Sequence, residues 1–269
     1  MSGQAARMRV LVTRAAGPAE TTAGRLRAAG YEPVVLPLIE YRDSGAPLPH
    51  GRFDGIIFTS AAAVEILAAR PSGTWAPLRA LPTFCVGTAT ARAASAAGFS
   101  QVVSGHGSAS DLVGTILSAL SMRNRSGEGS VRLLWLAPHD RAFDLAAALS
   151  AHGIVVTVTA IYRAVTADPG ARALETALRD CAGGAVLLYS PRSAEHLVSL
   201  AARHALTGPL AGLTLLAISE NVARAIAGHG ISDMLVSEMP QEDGLFALLD
   251  RLDRDGRASP RTDDDEGHH

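Results

Sequence analysis

The chain has 269 residues, 48% of them apolar and 19% charged, with a formal net charge of −2. That composition supplies a sizeable core and excludes both the basic footprint of a nucleic-acid binder and an acidic, disordered chain. All 24 cationic side chains are Arg, which removes the lysine-dependent phosphate loop and every lysine Schiff-base mechanism, and the length fits two domains of ordinary size.

Short apolar, β-rich runs alternate with Ala- and Leu-rich helical stretches along the sequence. Residues 10–13 read as a strand, 19–29 as a helix, and 34–36, 55–59 and 83–87 as strands. Residues 91–97 read as a helix, 102–103 and 132–136 as strands, and 143–151 as a helix. Strands follow at 155–158, 185–190 and 213–219, then a helix at 222–227 and a strand at 234–236. Strand and helix in alternation predict an α/β protein with parallel sheets wrapped by helices. The Gly-, Pro- and Ser-rich segments 43–51 and 127–130 read as loops. Past Leu252 the apolar residues run out, which predicts a disordered tail over 254–269. Cys85 and Cys181 lack the paired spacing of a zinc site or disulfide framework, and the His residues follow no metal-ligand spacing. With no secretory start and no apolar run near the roughly 18 residues that span a bilayer, the expectation is a cytoplasmic protein without a membrane partner.

The chain also echoes itself. Residues 10–41 answer 133–162, FTSAAAVEIL at Phe58 answers YSPRSAEHLV at Tyr189, and CVGTATARAASAAGFS at Cys85 answers AISENVARAIAGHGIS at Ala217. Gly30 pairs with Gly153 and Gly98 with Gly230, each where a helix ends before a strand and a left-handed cap favours Gly. Two similar α/β domains follow.

In open parallel sheets, ligands bind beyond the carboxyl ends of the strands, where loops turn into helix N-termini. Those loops carry Thr13 and Arg14; Thr59, Ser60 and Ala61; Gly87, Thr88 and Thr90; Pro138 and His139; Ser190, Pro191, Arg192 and Ser193; and Ser219, Glu220 and Asn221. Small hydroxyl and amide residues there serve as helix caps, and the backbone N–H groups around them suit an anion. Facing loops from two domains predict a cleft for a polyanionic ligand. A hinged, non-catalytic two-domain binder of a small polyanion is the rival reading of the same pattern.

VLVTR at Val10, FTSAAAVE at Phe58, CVGTATA at Cys85, AIYRA at Ala160, YSPRSAEHL at Tyr189 and AISENVARAI at Ala217 together resemble the uroporphyrinogen-III synthase family, over Arg9 to about Leu252. The resemblance implies two α/β domains joined by a two-stranded β-ladder: a discontinuous domain of 1–36 with 165–253, a continuous one of 42–159, and connecting strands at 37–41 and 160–164. It implies a lyase of porphyrin and heme biosynthesis, cytoplasmic and monomeric, with a small-molecule substrate and neither cofactor nor nucleic-acid partner. Such an enzyme closes hydroxymethylbilane to uroporphyrinogen III with loss of water and inversion of the terminal pyrrole ring, holding the substrate between its domains. The resemblance puts Thr13, Arg14, Ser60, Ala61, Gly87, Thr88, Thr90, Ser190, Pro191, Arg192, Ser193, Ser219, Glu220 and Asn221 against substrate. Its AIYRA match makes Tyr162 the hydrogen-bond donor to the departing hydroxyl. The chain departs from the family in offering Asn221 and Val222 where a Thr is frequent.

Overall fold

Runs of three or more apolar residues without polar alternation are what a strand buried on both faces requires, and residues 55–58, 185–188 and 214–217 are buried throughout. A computed structural model of the chain describes residues 8–123, 130–141, 143–231 and 233–256. The chain divides into two compact units, one formed by residues up to Glu40 together with those from Thr166 onward, the other by Tyr41–Val165.

The first unit contains β1 (Arg9–Val12), α1 (Ala16–Ala28) and β2 (Glu32–Val35). The chain later returns to it with α6 (Ala171–Asp180), β9 (Ala185–Leu188), α7 (Pro191–Arg203), α8 (Thr207–Ala211), β10 (Thr214–Ala217), α9 (Glu220–Ala225), β11 (Met234–Val236) and α10 (Glu242–Arg254). Its five parallel strands run in the order β11-β10-β9-β1-β2, with Val10 opposite both Pro33 and Ala185. Because successive strand side chains point to opposite faces, Leu11, Val186, Leu188 and Leu215 pack under α6 to α9, while Val10, Val12, Leu187 and Leu216 pack under α1 and α10.

The second unit contains β4 (Gly55–Phe58), α2 (Ala61–Ala69), β5 (Pro82–Cys85), α3 (Thr88–Ala96), β6 (Gln101–Ser104), α4 (Ala109–Arg123), β7 (Arg132–Pro138), α5 (Leu145–Ser150) and most of β8 (Val155–Thr166). With β3 (Ile39–Asp43) they form a sheet ordered β3-β8-β7-β4-β5-β6. Ile56, Phe58, Leu134 and Leu136 face α2, α3 and the stacked pair Trp75–Phe99; Ile57, Phe84, Leu133 and Trp135 face α4 and α5.

The sequence echo maps onto this architecture strand for strand. The order β11-β10-β9-β1-β2 in one sheet matches β6-β5-β4-β7-β8 in the other, so each pair of echoing segments occupies the same place in its own sheet. Gly30, Gly98, Gly153 and Gly230 all have positive φ, between +72° and +93°, as the helix-to-strand turns demand.

The connecting strands expected at 37–41 and 160–164 do pair with each other, but with shifted bounds and as part of the six-stranded sheet. The first strand is Ile39–Asp43, and Ala160 and Tyr162 are already paired to β7, so β8 is a member of the six-stranded sheet with β3 on its outer side. Ser44 N–H donates to the Ile161 carbonyl and Ala167 N–H to the Leu38 carbonyl, which makes the β3–β8 pair antiparallel. One long β-branched strand, VVTVTAIYRAVT, serves both pairings. At the other end, α10 carries regular helix through Arg254 because Leu245, Leu248, Leu249 and Leu252 give it a buried stripe. The helix thus overruns the start of the tail expected from residue 254. Residues 257–269 lie outside the described residues, as does most of the loop expected at 127–130.

Candidate active site

In each unit the strand order reverses at one place, and there the loops leaving adjacent strands diverge and open a crevice at their carboxyl ends. In Tyr41–Val165 the reversal lies between β4 and β7, since β5 and β6 continue on one side and β8 on the other. Ser60 ends the loop after β4. Its backbone is extended and its Oγ accepts the Ala63 N–H at 3.2 Å, capping α2. A β-bulge on β8 decides what meets it. The register slips so that Ala137 faces Ala160 but Pro138 faces Tyr162, and Ile161 and Tyr162 both fall in the cluster under α2, where strict alternation would have put them on opposite faces.

The bulge sets the Tyr162 hydroxyl 2.8 Å from Ser60 Oγ, with its ring edge-on to Tyr41 at a centroid distance of 5.2 Å. Tyr162 is 5% exposed. Burial pushes the phenol above its ordinary value, and the Ser60 hydrogen bond opposes this only in part; it is a neutral hydrogen-bonding group throughout the working pH range. His139, after β7, donates its backbone N–H to the Tyr162 carbonyl while its ring is exposed beside Asp140.

In the other unit the reversal lies between β1 and β9. Thr13 is turned inward, 1% exposed, with its hydroxyl toward the Leu187 carbonyl at 3.4 Å. Arg14 packs its guanidinium over the Tyr189 ring, Cζ to centroid 4.1 Å, and donates from Nη1 to Glu242 Oε1 at 3.1 Å and Thr22 Oγ1 at 3.2 Å. The same Glu242 oxygen accepts the Thr22 and Tyr189 hydroxyls at 2.6 and 2.7 Å, and Arg25 bridges Glu242 and Asp243. Burial raises the Glu242 carboxyl, but hydrogen bonds from Thr22, Tyr189 and Arg25 and the charge of Arg14 outweigh it and hold the group below the usual carboxylate range. Gly244 lets the first turn of α10 seat closely, because a Cβ there would lie 2.0 Å from Ser237 Oγ and 2.4 Å from the Met239 carbonyl oxygen.

Of the candidate residues, Ser60 and Tyr162 are brought into contact, and Arg14 joins an ion cluster. Thr13 is turned into the core, and the others line strand-end loops as caps and first-turn residues. Ser190 caps α7 by accepting the Ser193 N–H at 3.2 Å, and Ser193 donates its hydroxyl to the Ser190 carbonyl. Pro191 opens that helix and Arg192 is exposed. Ala61 opens α2 half-buried; Gly87 caps α3, with Thr88 exposed and Thr90 buried. Ser219 precedes α9 without a side-chain capping bond, and Glu220 and Asn221 are exposed.

Thr22, Arg25, Tyr189 and Glu242 were not among the sequence candidates. The available signals were Tyr189 standing where the echo has Phe58, and the acidic pair Glu242–Asp243 opening an amphipathic helix. A further groove of about 680 Å³ runs along α4 beside β6 and includes His106, Asp111 and Thr115 but none of the candidates. Among the described residues no group of three His, Cys, Asp or Glu could hold a metal ion, and no helix is long and apolar enough to cross a membrane.

Comparison with known proteins adds identity to this geometry. The uroporphyrinogen-III synthetase of Helicobacter pylori 26695 superimposes with a TM-score of 0.57 at 17% identity, covering 91% of this chain and 99% of that one. A mutant uroporphyrinogen III synthase from the extremely thermophilic bacterium Thermus thermophilus aligns at 18% identity over 92% of this chain and 99% of its own, with a TM-score of 0.44. The first likeness supports the fold. No curated protein matches by sequence. A family model for uroporphyrinogen-III synthase HemD, however, matches residues 20–247, which takes in every candidate loop except that of Thr13 and Arg14. The chain belongs to the uroporphyrinogen-III synthase HemD family of enzymes, which act on a tetrapyrrole substrate.

Proposed function

We propose that this chain closes hydroxymethylbilane to uroporphyrinogen III, with loss of water and inversion of the terminal pyrrole ring. Departure of the terminal hydroxyl leaves an azafulvene cation, which the far pyrrole attacks at its substituted carbon to give a spiro intermediate before rearrangement. The eight carboxylates of the substrate call for many oriented donors, and a chain without lysine supplies them as strand-end N–H groups and arginine. Orienting a flexible substrate so that its ends meet in one geometry is the main contribution asked of the protein.

The observation that carries the reading, beside family membership, is the Ser60–Tyr162 contact at 2.8 Å, at the point where strand order reverses. Ser60 Oγ already accepts from Ala63. When Tyr162 donates to the remaining lone pair, the serine proton is left to hydrogen-bond the departing hydroxyl, and Tyr162 stabilises that arrangement without itself ionising. The test is to incubate the protein with freshly generated hydroxymethylbilane, oxidise the products and separate the type I and type III isomers. Isomer III formed at catalytic protein levels is the expected result. Isomer I as the sole product with folded protein overturns the reading.

A further inference from the structure

The ion cluster beyond β1 and β9 gives its two arginines different tasks. Arg25 grips Glu242 with one terminal nitrogen and Asp243 with the other, so both ends of its fork are committed. Arg14 enters the cluster through Nη1 alone, shared between Thr22 and Glu242, and its Nε and Nη2 donate to no group among the described residues. An arginine acting only as a staple gains most by presenting two nitrogens to the carboxylate. Arg14 instead lies over Tyr189 with 32% of its side chain exposed and one fork edge uncommitted.

Glu242 is the reverse case. One oxygen receives Thr22, Tyr189 and Arg14, the other receives Arg25, and the side chain is 18% exposed. Its charge is therefore spent inside the cluster, and two of its partners, Thr22 and Tyr189, also touch Arg14 directly. The strand-order reversal in that sheet puts the loops that carry Arg14 and Tyr189, which follow β1 and β9, where a ligand is expected in an open parallel sheet.

We infer that Glu242, supported by Thr22 and Tyr189, is a positioning residue that orients Arg14 so that its Nε–Nη2 edge takes one carboxylate of the substrate, an inference that rests on the polycarboxylate substrate proposed above. The test is a double-mutant cycle on KM and kcat for isomer III formation, with Tm recorded for each protein: wild type, Arg14→Ala, Glu242→Ala, Glu242→Gln, and Arg14→Ala combined with each Glu242 change. Loss of a charge-assisted contact is expected to raise KM about tenfold in Arg14→Ala with kcat held within about twofold. Glu242→Ala should raise KM by a similar factor. Glu242→Gln, which keeps an acceptor for the two hydroxyls, should raise it less, and neither should add anything once Arg14 is gone. Should Glu242→Ala fail to fold, the Gln variant carries the same cycle. A lower Tm with unchanged KM in the Glu242 variants makes the cluster a staple and overturns the inference, as do KM effects that multiply in the double variants. Wild type producing isomer III while Arg14→Ala leaves KM unchanged overturns the inference and leaves the function standing; wild type producing only isomer I removes both.

Discussion

Replacing Tyr162 by Phe removes one hydroxyl and nothing else from a side chain that is 5% exposed. The cost to stability is modest, because Ser60 keeps the Ala63 N–H as a partner and no buried donor is orphaned. A net hydrogen bond of this kind contributes about 1 kcal/mol, which lowers Tm by roughly 4 °C for a unit of this size. The cost to turnover is larger if the pair addresses the departing hydroxyl, where charge develops. Without Tyr162 the Ser60 hydroxyl loses the partner that aims it at that charge. A hydrogen bond to a charged group contributes about 1.5–3 kcal/mol, so at about 1.4 kcal/mol per decade the variant should lose up to roughly 10- to 150-fold in kcat. Ser60→Ala should lose at least as much, and the double variant no more than the worse single one, since the two hydroxyls form one 2.8 Å link. Burial keeps the phenol protonated, so the wild-type pH profile should show no limb from Tyr162 below about pH 10. Measured turnover, isomer ratio and Tm decide the matter together: a folded Tyr162→Phe protein with unchanged turnover and unchanged isomer ratio refutes the role.

Other consequences are as direct. A Cβ at Gly184 would lie 2.1 Å from the Arg9 carbonyl oxygen, so Gly184→Ala must push β9 from β1 and should cost about 3 kcal/mol or more in chemical denaturation. Gly24→Ala, on α1 with nothing within 4 Å, should instead stabilise by about 0.5–1 kcal/mol. Ser190→Ala removes the cap of α7 and should cost about 1 kcal/mol by the same measurement. Glu242 and Asp43 are both held below their ordinary values, Asp43 by its hydrogen bond and charge pairing with Arg70. Their stabilisation is complete above the unfolded carboxylate range of about pH 4 and is lost as pH falls through the lowered folded values. Melting curves from pH 6 to pH 2 should therefore fall more steeply for wild type than for Glu242→Gln, and parallel curves would contradict the assignment.

The strands were legible because parallel strands covered on both faces are written as continuous apolar runs: all ten sequence-read strands appear, from Arg9–Val12 to Met234–Val236, and the echo assigned them to equivalent places in two sheets. Ser60 and Ser190 were legible as capping residues for the same reason, since a cap is a local signal. The bulge at Ile161 was not, because it depends on the register against β7 and not on the residues of β8 alone. The Glu242 cluster was hidden by distance: Arg14 and Glu242 are 228 positions apart, and local periodicity carries no information about pairings at that range. The sequence places Arg14 in a strand-end loop, where either a salt bridge or an anion suits it; in the fold its Nη1 is committed to Glu242 and Thr22.

The path of the chain also sets an order of assembly during synthesis. Every strand pairing within Tyr41–Val165 joins residues that emerge in one uninterrupted stretch, with β4, β5 and β6 paired in succession. The central pairing of the other sheet, Val10 to Ala185, must wait for some 175 further residues after its first strand has left the ribosome. Non-local contacts of this kind are slow to form because loop closure is costly before any contact offsets it. The segment β1-α1-β2 therefore lacks its central partner strand until β9 emerges, leaving Val10, Leu11 and Val12, all fully buried at the end, without that cover. Chaperone demand and sensitivity to truncation should concentrate there, in strands that are made early and enclosed last.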